Sequence, residues 1–429
     1  MHRIDSDDEA REQRLNPSAG SLQSRIFRIG LVLLAASSLG ACAGYSRGFL
    51  APVVESAPGT SKVDLLVATT RMPAGSTAEM FSGGRGSAPA FADIEVSLPP
   101  DAAREIGEVQ WPRQVPGNPA VDFVTLRAEI IDRAQAIATF HKRIAKTPGR
   151  QVLVFIHGFN NRFEDAVFRF AQIVHDSDAE VTPVLFTWPS RGSLLAYGYD
   201  RESTNYSRNA LEDLLRWLAK DPQVGEISIL AHSMGNWLAL ESLRQMAIRD
   251  GHIAPKIRNV LLAAPDVDVD LAREQIADMG PNRPNFTLFV SQNDKALVLS
   301  ERIWGGTRLG AIDPAEEPYK TDLARENIKV VDLTNIRSAD VLNHNTFAES
   351  PKIVELIGAR LAQGQTITDS HEGIGDRIIE RATGAAASVG AATALVVSAP
   401  VAVVDPSTRE NYADEVQALG QSVHKTVQP

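Results

Sequence analysis

One strand–turn–helix stretch constrains the fold of this chain more than any other. It runs from residue 227 to residue 240 and reads ISILAHSMGNWLAL. Four mostly apolar residues lead into a turn centred on Ser233, and a helical spacing of apolar residues begins at Trp237. Small residues flank the serine, Ala231 before it and Gly235 after it, as expected where a strained turn brings a helix close to the preceding strand. The alternative is an ordinary turn that contains a serine, but the whole pattern is typical of a nucleophile elbow.

The alternation of strand and helix continues on both sides of this turn. Apolar strands are predicted at residues 151–156, 184–187, 227–230, 259–264, 286–290 and 330–333. Helices are predicted at 163–174, 203–219, from the turn to about 248, and at 347–361. Strands without polar alternation, separated by amphipathic helices, favour an α/β fold with a mostly parallel sheet covered on both faces. Loops at the carboxyl ends of such strands carry the functional site.

The segment before residue 151 is less regular. Strands are predicted at 63–69 and 92–98, a Gly/Ser-rich loop at 72–90, and a helix at 134–144. Residues 43–62 are rich in Ser, Gly, Pro and Ala and are predicted to form a linker. The globular domain is therefore expected to cover residues 63–363.

Composition excludes several classes of function. The formal net charge is −10, which gives no electrostatic reason to bind nucleic acid. Cys42 is the single cysteine, so an intrachain disulfide and a multi-cysteine metal site are both impossible.

The N-terminal 42 residues have the features of a targeting segment. Arg25 and Arg28 precede a short apolar run at 29–39, and small residues lead to Cys42. This order is typical of a secretory signal, and the apolar run is too short for a fixed membrane span. The segment resembles a bacterial lipoprotein signal with Leu39–Cys42 as its lipobox, which implies lipid attachment at Cys42. The expected location is the cell envelope, at the periplasmic face of the outer membrane; an ordinary signal peptide or an uncleaved anchor is the alternative.

The tail at residues 364–429 departs from the pattern of the domain. Residues 382–404 carry no charge and consist mainly of small residues, with Pro400 near the end. A packed or partly disordered tail is favoured over a membrane span, because large apolar residues are few.

A serine nucleophile requires a histidine base and an acid that orients it, in the chain order serine, acid, histidine. Elimination among the histidines after Ser233 leaves His344, which lies in a loop between the last predicted strand and the last predicted helix. For the acid, Asp294 follows the strand at 286–290 and is preferred, while Asp266 after the preceding strand is the alternative.

The negative oxygen of an acyl-transfer intermediate requires backbone N–H donors. Met234, which follows the serine, and Phe159, in the loop after the strand at 151–156, are the expected donors. His157 and His232 are expected to be structural rather than reactive.

Five stretches occur in order along the chain: VLVFIHGFNNRFEDAVFRFAQI, LFTWPSRGSLLAYGYDRES, LAHSMGN, LLAAPDVDVDLAR and SQNDKAL. Through these stretches the chain resembles a family of bacterial α/β-hydrolases described as esterase/lipase-like and of unknown function. The resemblance implies the α/β-hydrolase fold, a hydrolase activity and catalytic roles for Ser233, Asp294 and His344. In this family the histidine is typically followed by serine, where this chain has Asn345.

The sequence therefore predicts a serine hydrolase that cleaves carboxylic esters, including lipid esters, through an acyl-enzyme and needs no metal or cofactor. Acyl specificity is expected to depend on the loops at 188–199 and 303–319. A thioesterase, amidase or peptidase would use the same residues. A further alternative is a non-catalytic, membrane-tethered binding protein of the envelope.

Overall fold

The computed structural model describes residues 48–336, 340 and 342–362. The predicted signal segment with Cys42 and the tail at 364–429 lie outside the described residues. Within the described part of the chain, no helix combines the length and the apolar content needed to cross a bilayer.

In the part of the chain that the structure describes, nine strands form one sheet in the order β3-β2-β1-β5-β4-β6-β7-β8-β9. Strands β1 and β4 to β9 run parallel to one another, and antiparallel pairing joins β2 to β1 and to β3. The mostly parallel sheet of an α/β-hydrolase domain, predicted from the apolar strands, is thus confirmed. The strands are β1 (Ser61–Pro73), β2 (Phe81–Leu98), β3 (Val124–Ile131), β4 (Gln151–Ile156), β5 (Thr182–Thr187), β6 (Glu226–His232), β7 (Ile257–Ala263), β8 (Asn285–Val290) and β9 (Lys329–Asp332).

Helices connect the strands and cover both faces of the sheet. They are α1 (Arg133–Ile144), α2 (Phe163–Asp176), α3 (Tyr197–Lys220), α4 (Gly235–Asp250), α5 (Val269–Asp278), α6 (Lys295–Trp304), α7 (Tyr319–Arg325), α8 (Thr346–Glu349) and α9 (Pro351–Ala362). Single 3-10 turns occur at Asp101–Ala103, Pro148–Arg150, Leu194–Ala196 and Leu309–Ala311.

The apolar strands supply two cores, one on each face of the sheet. In β6, Ile229 belongs to the core beneath α1, α3 and α4, while Leu230 belongs to the core beneath α2 and α9. Side chains alternate between the faces of a strand, so a strand buried on both faces has to be apolar at nearly every position. This explains why the central strands lack polar alternation.

Three predictions about local structure were wrong. Most of the predicted loop at 72–90 belongs to β1 and β2, which pair as long antiparallel strands. Gly86 lies so close to β1 that a Cβ there would come within 2.7 Å of the Arg71 carbonyl oxygen, which explains a glycine in the strand. Strand β3 was missed. The predicted last helix is two helices, because Ser350 adopts an extended conformation before Pro351, the first residue of α9.

Part of the segment predicted as a linker contributes to the domain. Phe49 and Leu50 are buried in the core beneath α2, and the Val53 N–H donates a hydrogen bond to the Thr125 carbonyl oxygen at 2.8 Å.

The order of the strands determines where the site lies. Strand β6 sits between β4 and β7, with Ala231 beside Ile156 on one side and Leu262 on the other. Because these strands are parallel, the loops after β4, β6, β7 and β8 all leave from one edge of the sheet.

Candidate active site

The turn after β6 holds Ser233 in a strained backbone conformation. Its φ angle is +52°, in the left-handed region that non-glycine residues rarely adopt. Neighbouring loops enclose the turn: the Ser233 N–H donates to the Ala263 carbonyl oxygen at 2.9 Å, and the Asp266 N–H donates to the Ser233 carbonyl oxygen at 3.2 Å. The Asn236 amide also donates to the Ser233 carbonyl oxygen, at 2.9 Å. The conformation expected of a nucleophile elbow is therefore present at the predicted serine.

Two glycines allow the loop after β4 to approach this turn. A Cβ at Gly235 would lie 2.4 Å from the His157 carbonyl oxygen, so only glycine fits at the start of α4. A Cβ at Gly158 would lie 2.8 Å from the Ser233 Cβ. The loop that contains Phe159 therefore packs directly against the serine.

His344 and Asp294 form a buried pair. The His344 Nδ1–H donates to Asp294 Oδ2 at 2.7 Å, and the Asp294 side chain is fully buried. The other carboxylate oxygen of Asp294 caps α6 by accepting from the Leu297 N–H at 3.0 Å. Burial alone would lower the pKa of His344, but the charge and hydrogen bond of Asp294, with the charges of Asp340 and Asp266, outweigh it and raise that pKa above its ordinary 6.5.

Backbone hydrogen bonds hold the loop that carries His344. Asp340 accepts from the His344 N–H at 2.7 Å and from the Asn345 N–H at 3.0 Å. The Lys295 N–H donates to the Leu342 carbonyl oxygen at 2.9 Å, which ties this loop to the start of α6. The start of α6 consequently holds both Asp294 and the loop that carries His344.

The elbow and the His344 loop are in contact through His232. Its Nε2–H donates to the His344 carbonyl oxygen at 3.2 Å, and the two ring centroids lie 4.8 Å apart. Burial, together with the neighbouring His344, lowers the pKa of His232 well below 6.5, so this ring is neutral. The structure thus brings the candidate base beside the residue that precedes Ser233.

The alternative acid, Asp266, has other partners. Its carboxylate accepts hydrogen bonds from Ser300 Oγ at 2.7 Å and from Tyr197 Oη at 2.9 Å, and the Arg308 guanidinium lies 3.4 Å away. Of the two carboxylates considered, Asp294 is the one that contacts the His344 ring.

The two predicted oxyanion donors lie in segments that adjoin Ser233. Met234 precedes the first residue of α4, and Phe159 follows Gly158 in the loop packed on Ser233. Within the described residues, neither N–H group donates to a protein acceptor. Both N–H groups therefore belong to segments that adjoin Ser233, as expected of oxyanion donors.

Aromatic rings extend outward from the Phe159 side chain. The Phe159 ring packs edge-on against Tyr197 at 5.2 Å, and Tyr197 stacks on Trp304 at 5.0 Å. Trp304 is 46 % exposed, and Ile303 beside it is 61 % exposed. Apolar surface thus continues from the loop that contains Phe159 to solvent, and residues from both segments expected to set specificity form it.

The sequence did not single out Arg71, Tyr197 or Asp340, which contact the predicted site residues or their loops. Asp340 precedes His344 by four residues, a spacing that could have indicated a loop-closing carboxylate. Arg71 lies on β1, and no local pattern connects it with the distant loop it contacts.

Among the described residues, the candidate site coincides neither with a metal site nor with the apolar cavity between α1 and α3. In the described ranges, no group of three or more His, Cys, Asp or Glu side chains is placed to hold a metal ion. A mostly apolar cavity of about 420 Å³ lies between α1 and α3, above the ends of β1 and β5, and none of the predicted site residues lines it.

Comparison with known proteins identifies the family. Residues 132–360, more than half of the chain, match the family described as alpha/beta hydrolase of unknown function (DUF900). An uncharacterized protein from Nostoc sp. is 26 % identical over 169 residues, a match that spans 33 % of this chain and 44 % of that protein.

Solved structures with remote similarity include three hydrolases. A predicted CIB-like hydrolase from Thermoplasma acidophilum is 14 % identical, with a TM-score of 0.29 over 55 % of this chain and 91 % of that one. An esterase from Rhizomucor miehei is 10 % identical, with a TM-score of 0.32 over 77 % and 89 % of the two chains. The Pyrobaculum calidifontis esterase is 12 % identical, with a TM-score of 0.28 over 82 % and 95 %. Similarity at this level carries no functional argument; the match over residues 132–360 shows that the chain belongs to the alpha/beta hydrolase family of unknown function.

Proposed function

We propose that the protein is a serine hydrolase that cleaves carboxylic esters, with Ser233 as nucleophile, His344 as general base and Asp294 as the residue that orients His344. The observation that carries the proposal is the 2.7 Å hydrogen bond between His344 and the buried Asp294, in a loop that contacts His232, the residue before a serine held at a φ of +52°. Such an arrangement is the one that acyl transfer from a serine requires.

The reaction proceeds in two steps. Ser233 Oγ attacks the ester carbonyl carbon while its proton passes to His344 Nε2, and the carbonyl π electrons become the oxyanion that accepts from the Met234 and Phe159 N–H groups. When the intermediate collapses, the alkoxide leaves with the proton from His344, and the acyl group stays on Ser233. Water then attacks the acyl-enzyme by the same route and releases the carboxylic acid and free Ser233.

The aromatic row from Phe159 to Trp304 supports an apolar substrate. Burying a methylene group is worth roughly 0.8 kcal/mol, so an acyl or alkyl chain along Tyr197 and Trp304 would strengthen binding with each added carbon. An ester with such a chain fits this surface better than a charged or strongly polar one.

Labelling with a fluorophosphonate probe and turnover of p-nitrophenyl esters from acetate to palmitate test the proposal. The wild-type protein is expected to label and to turn over esters, and Ser233→Ala to do neither. Ser242→Ala is a matched control, because Ser242 is a buried serine of α4 that bonds the Leu238 carbonyl oxygen, and it should label normally. Thioesters and anilides with the same acyl groups distinguish the related activities. Folded wild-type protein that neither labels nor turns over any of these substrates would contradict the proposal.

The proposed location is the periplasmic face of a bacterial outer membrane, with a lipid attached at Cys42. The support is the lipobox-like Leu39–Cys42 after a short apolar run. Expression in bacteria fed an alkyne fatty acid should label the protein, and Cys42→Ser should remove the label and release the protein from membranes. Equal labelling of the two proteins would refute lipid attachment at Cys42.

A further inference from the structure

Arg71, near the end of β1, places a buried guanidinium below the loop that carries Phe159. The residue is 1 % exposed. Its Nε donates to Thr187 Oγ1 at 2.8 Å, and its Nη1 donates to the Ser190 carbonyl oxygen at 2.8 Å. These bonds anchor the guanidinium to the end of β5 and to the segment that follows it.

The same guanidinium holds both ends of the oxyanion loop, residues 157–161. At the far end, Arg71 Nη2 donates to the Asn161 carbonyl oxygen at 2.8 Å. At the near end, Nη2 lies 3.4 Å from His157 Nε2, which also accepts from the Trp188 N–H at 3.2 Å. Because two donors point at Nε2, the ring proton of His157 lies on Nδ1.

That proton determines the orientation of one peptide group. His157 Nδ1–H donates to the Gly158 carbonyl oxygen at 2.8 Å, and the Asn161 amide donates to the same oxygen at 3.3 Å. In a trans peptide the C=O and the following N–H point in opposite directions. Holding the Gly158 carbonyl oxygen therefore directs the Phe159 N–H the other way, away from His157 and Asn161.

Charged side chains bind polar groups of opposite sign in loop 157–161 and in the segment after β5. Arg71 binds the carbonyl oxygens of Asn161 and Ser190, while the buried Asp200 accepts from the Arg191 N–H at 3.0 Å and from Ser190 Oγ at 2.5 Å. Burial lowers the pKa of Arg71 to about 10, while the charge of Asp200 works in the opposite sense, so Arg71 is still charged at neutral pH.

We infer that Arg71 is a positioning residue: it clamps loop 157–161, sets the tautomer of His157 and thereby aims the Phe159 N–H at the developing oxyanion. This inference rests on the proposed ester hydrolysis. Arg71 touches neither substrate nor Ser233; it acts through His157 and Asn161.

The variants Arg71→Lys and Arg71→Met test this inference, with Arg104→Met as the matched control. Arg104 is also a buried arginine, with Nη1 2.6 Å from Asp176 Oδ1 at the far end of α2, roughly 20 Å along that helix from the loop. Lysine keeps the charge at residue 71 but cannot reproduce the planar fork that reaches several acceptors.

An oxyanion donor acts in the transition state, so its misalignment lowers kcat and leaves KM nearly unchanged. We expect kcat per folded molecule to fall about 10- to 100-fold in Arg71→Met and less in Arg71→Lys, with KM within about twofold of wild type. Affinity for a trifluoromethyl ketone, which forms a tetrahedral oxyanion on the serine, should fall in parallel with kcat/KM. Arg104→Met should lose thermal stability and keep its kcat.

The possible failures are distinguishable. If the wild-type protein neither labels nor turns over esters, the proposed function and this inference both fail. If the wild type is active and the Arg71 variants keep wild-type kcat and ketone affinity, only the inference fails. If Arg71→Met does not fold, Arg71→Lys decides, together with hydrogen exchange of a peptide spanning residues 157–161. Faster exchange and reduced kcat support the clamp, and unchanged exchange with unchanged kcat refutes it.

Discussion

Replacing Gly158 by alanine adds a single methyl group where the oxyanion loop packs against Ser233. The new Cβ would lie 2.8 Å from the Ser233 Cβ, 3.1 Å from His232 Nδ1 and 3.2 Å from the His232 carbonyl oxygen. No flexible side-chain end is among these neighbours, since two atoms belong to His232, which is itself bonded to the His344 loop, and the third to Ser233. The loop after β4 has to move instead.

The required movement can be estimated from the contact distance. Carbon atoms pack at roughly 3.5–4.0 Å, so the loop and Ser233 must separate by about 0.7 Å or more. A displacement approaching 1 Å at a reacting group costs about 100-fold in rate, or ~2.7 kcal/mol of transition-state stabilisation. Overpacking of this size destabilises a fold by about 1–3 kcal/mol, which lowers Tm by only a few degrees in a domain of this length.

Ester turnover, fluorophosphonate labelling and thermal unfolding of Gly158→Ala test the estimate together. We expect kcat to fall about 100-fold, KM to change little and Tm to fall by a few degrees. Gly75→Ala is the control for the chemical change, because a Cβ there meets nothing within 4 Å. A Gly158→Ala variant with wild-type kcat would refute the assigned packing of the oxyanion loop on Ser233.

Three further predictions concern other parts of the domain. Asp294→Asn should lower kcat by about 10⁴-fold and shift the acid limb of the rate profile to lower pH. The reason is that activity requires neutral His344, whose pKa Asp294 raises above 6.5; an unshifted limb would contradict this role. Trp304→Ala should raise KM about fivefold or more for long-chain esters and leave acetate turnover unchanged. Equal effects on long-chain and acetate esters would contradict a role of the aromatic row in substrate binding. Burial alone would raise the pKa of Asp176, but hydrogen bonds, including those from His175 and Arg104, lower it to about 2. The Asp176 carboxylate therefore contributes about 1–2 kcal/mol to the free energy of unfolding above pH 4, and this contribution is lost as the pH falls toward 2. In urea unfolding, the Asp176→Asn variant should lose less stability than wild type over that pH range.

The sequence was most informative where local chemistry and fold agree. The apolar strands had to be buried on both faces, and Gly235 had to be small, because α4 starts within van der Waals distance of β4. Both constraints can be inferred from the residue types alone. Chain order then restricted the base to His344 and the acid to Asp294 or Asp266, without any knowledge of distances.

Local patterns failed where distant segments supply the missing hydrogen bonds. The Gly-rich start of β2 has weak strand propensity, yet pairing with β1 makes it a strand, since a partner strand satisfies its backbone groups. The division of the last helix is a smaller failure: helical periodicity continues through Ser350, but Pro351 restricts the residue before it.

The sequence preferred Asp294 to Asp266 from its place after β8, but the contacts that distinguish the two carboxylates, and all the contacts of Arg71, exist only in the tertiary structure. Asp266 and Asp294 both follow strands that end at the same edge of the sheet. Tyr197 and Ser300 donate hydrogen bonds to Asp266, whereas His344 donates to Asp294. Arg71 and Asn161 are 90 residues apart, and they meet because β1, β5 and β4 are neighbours in the sheet. Residue types and their order along the chain determine which chemistry is available; the contacts that orient it arise only when the sheet assembles, because hydrogen bonds and charges act over distances of a few ångströms.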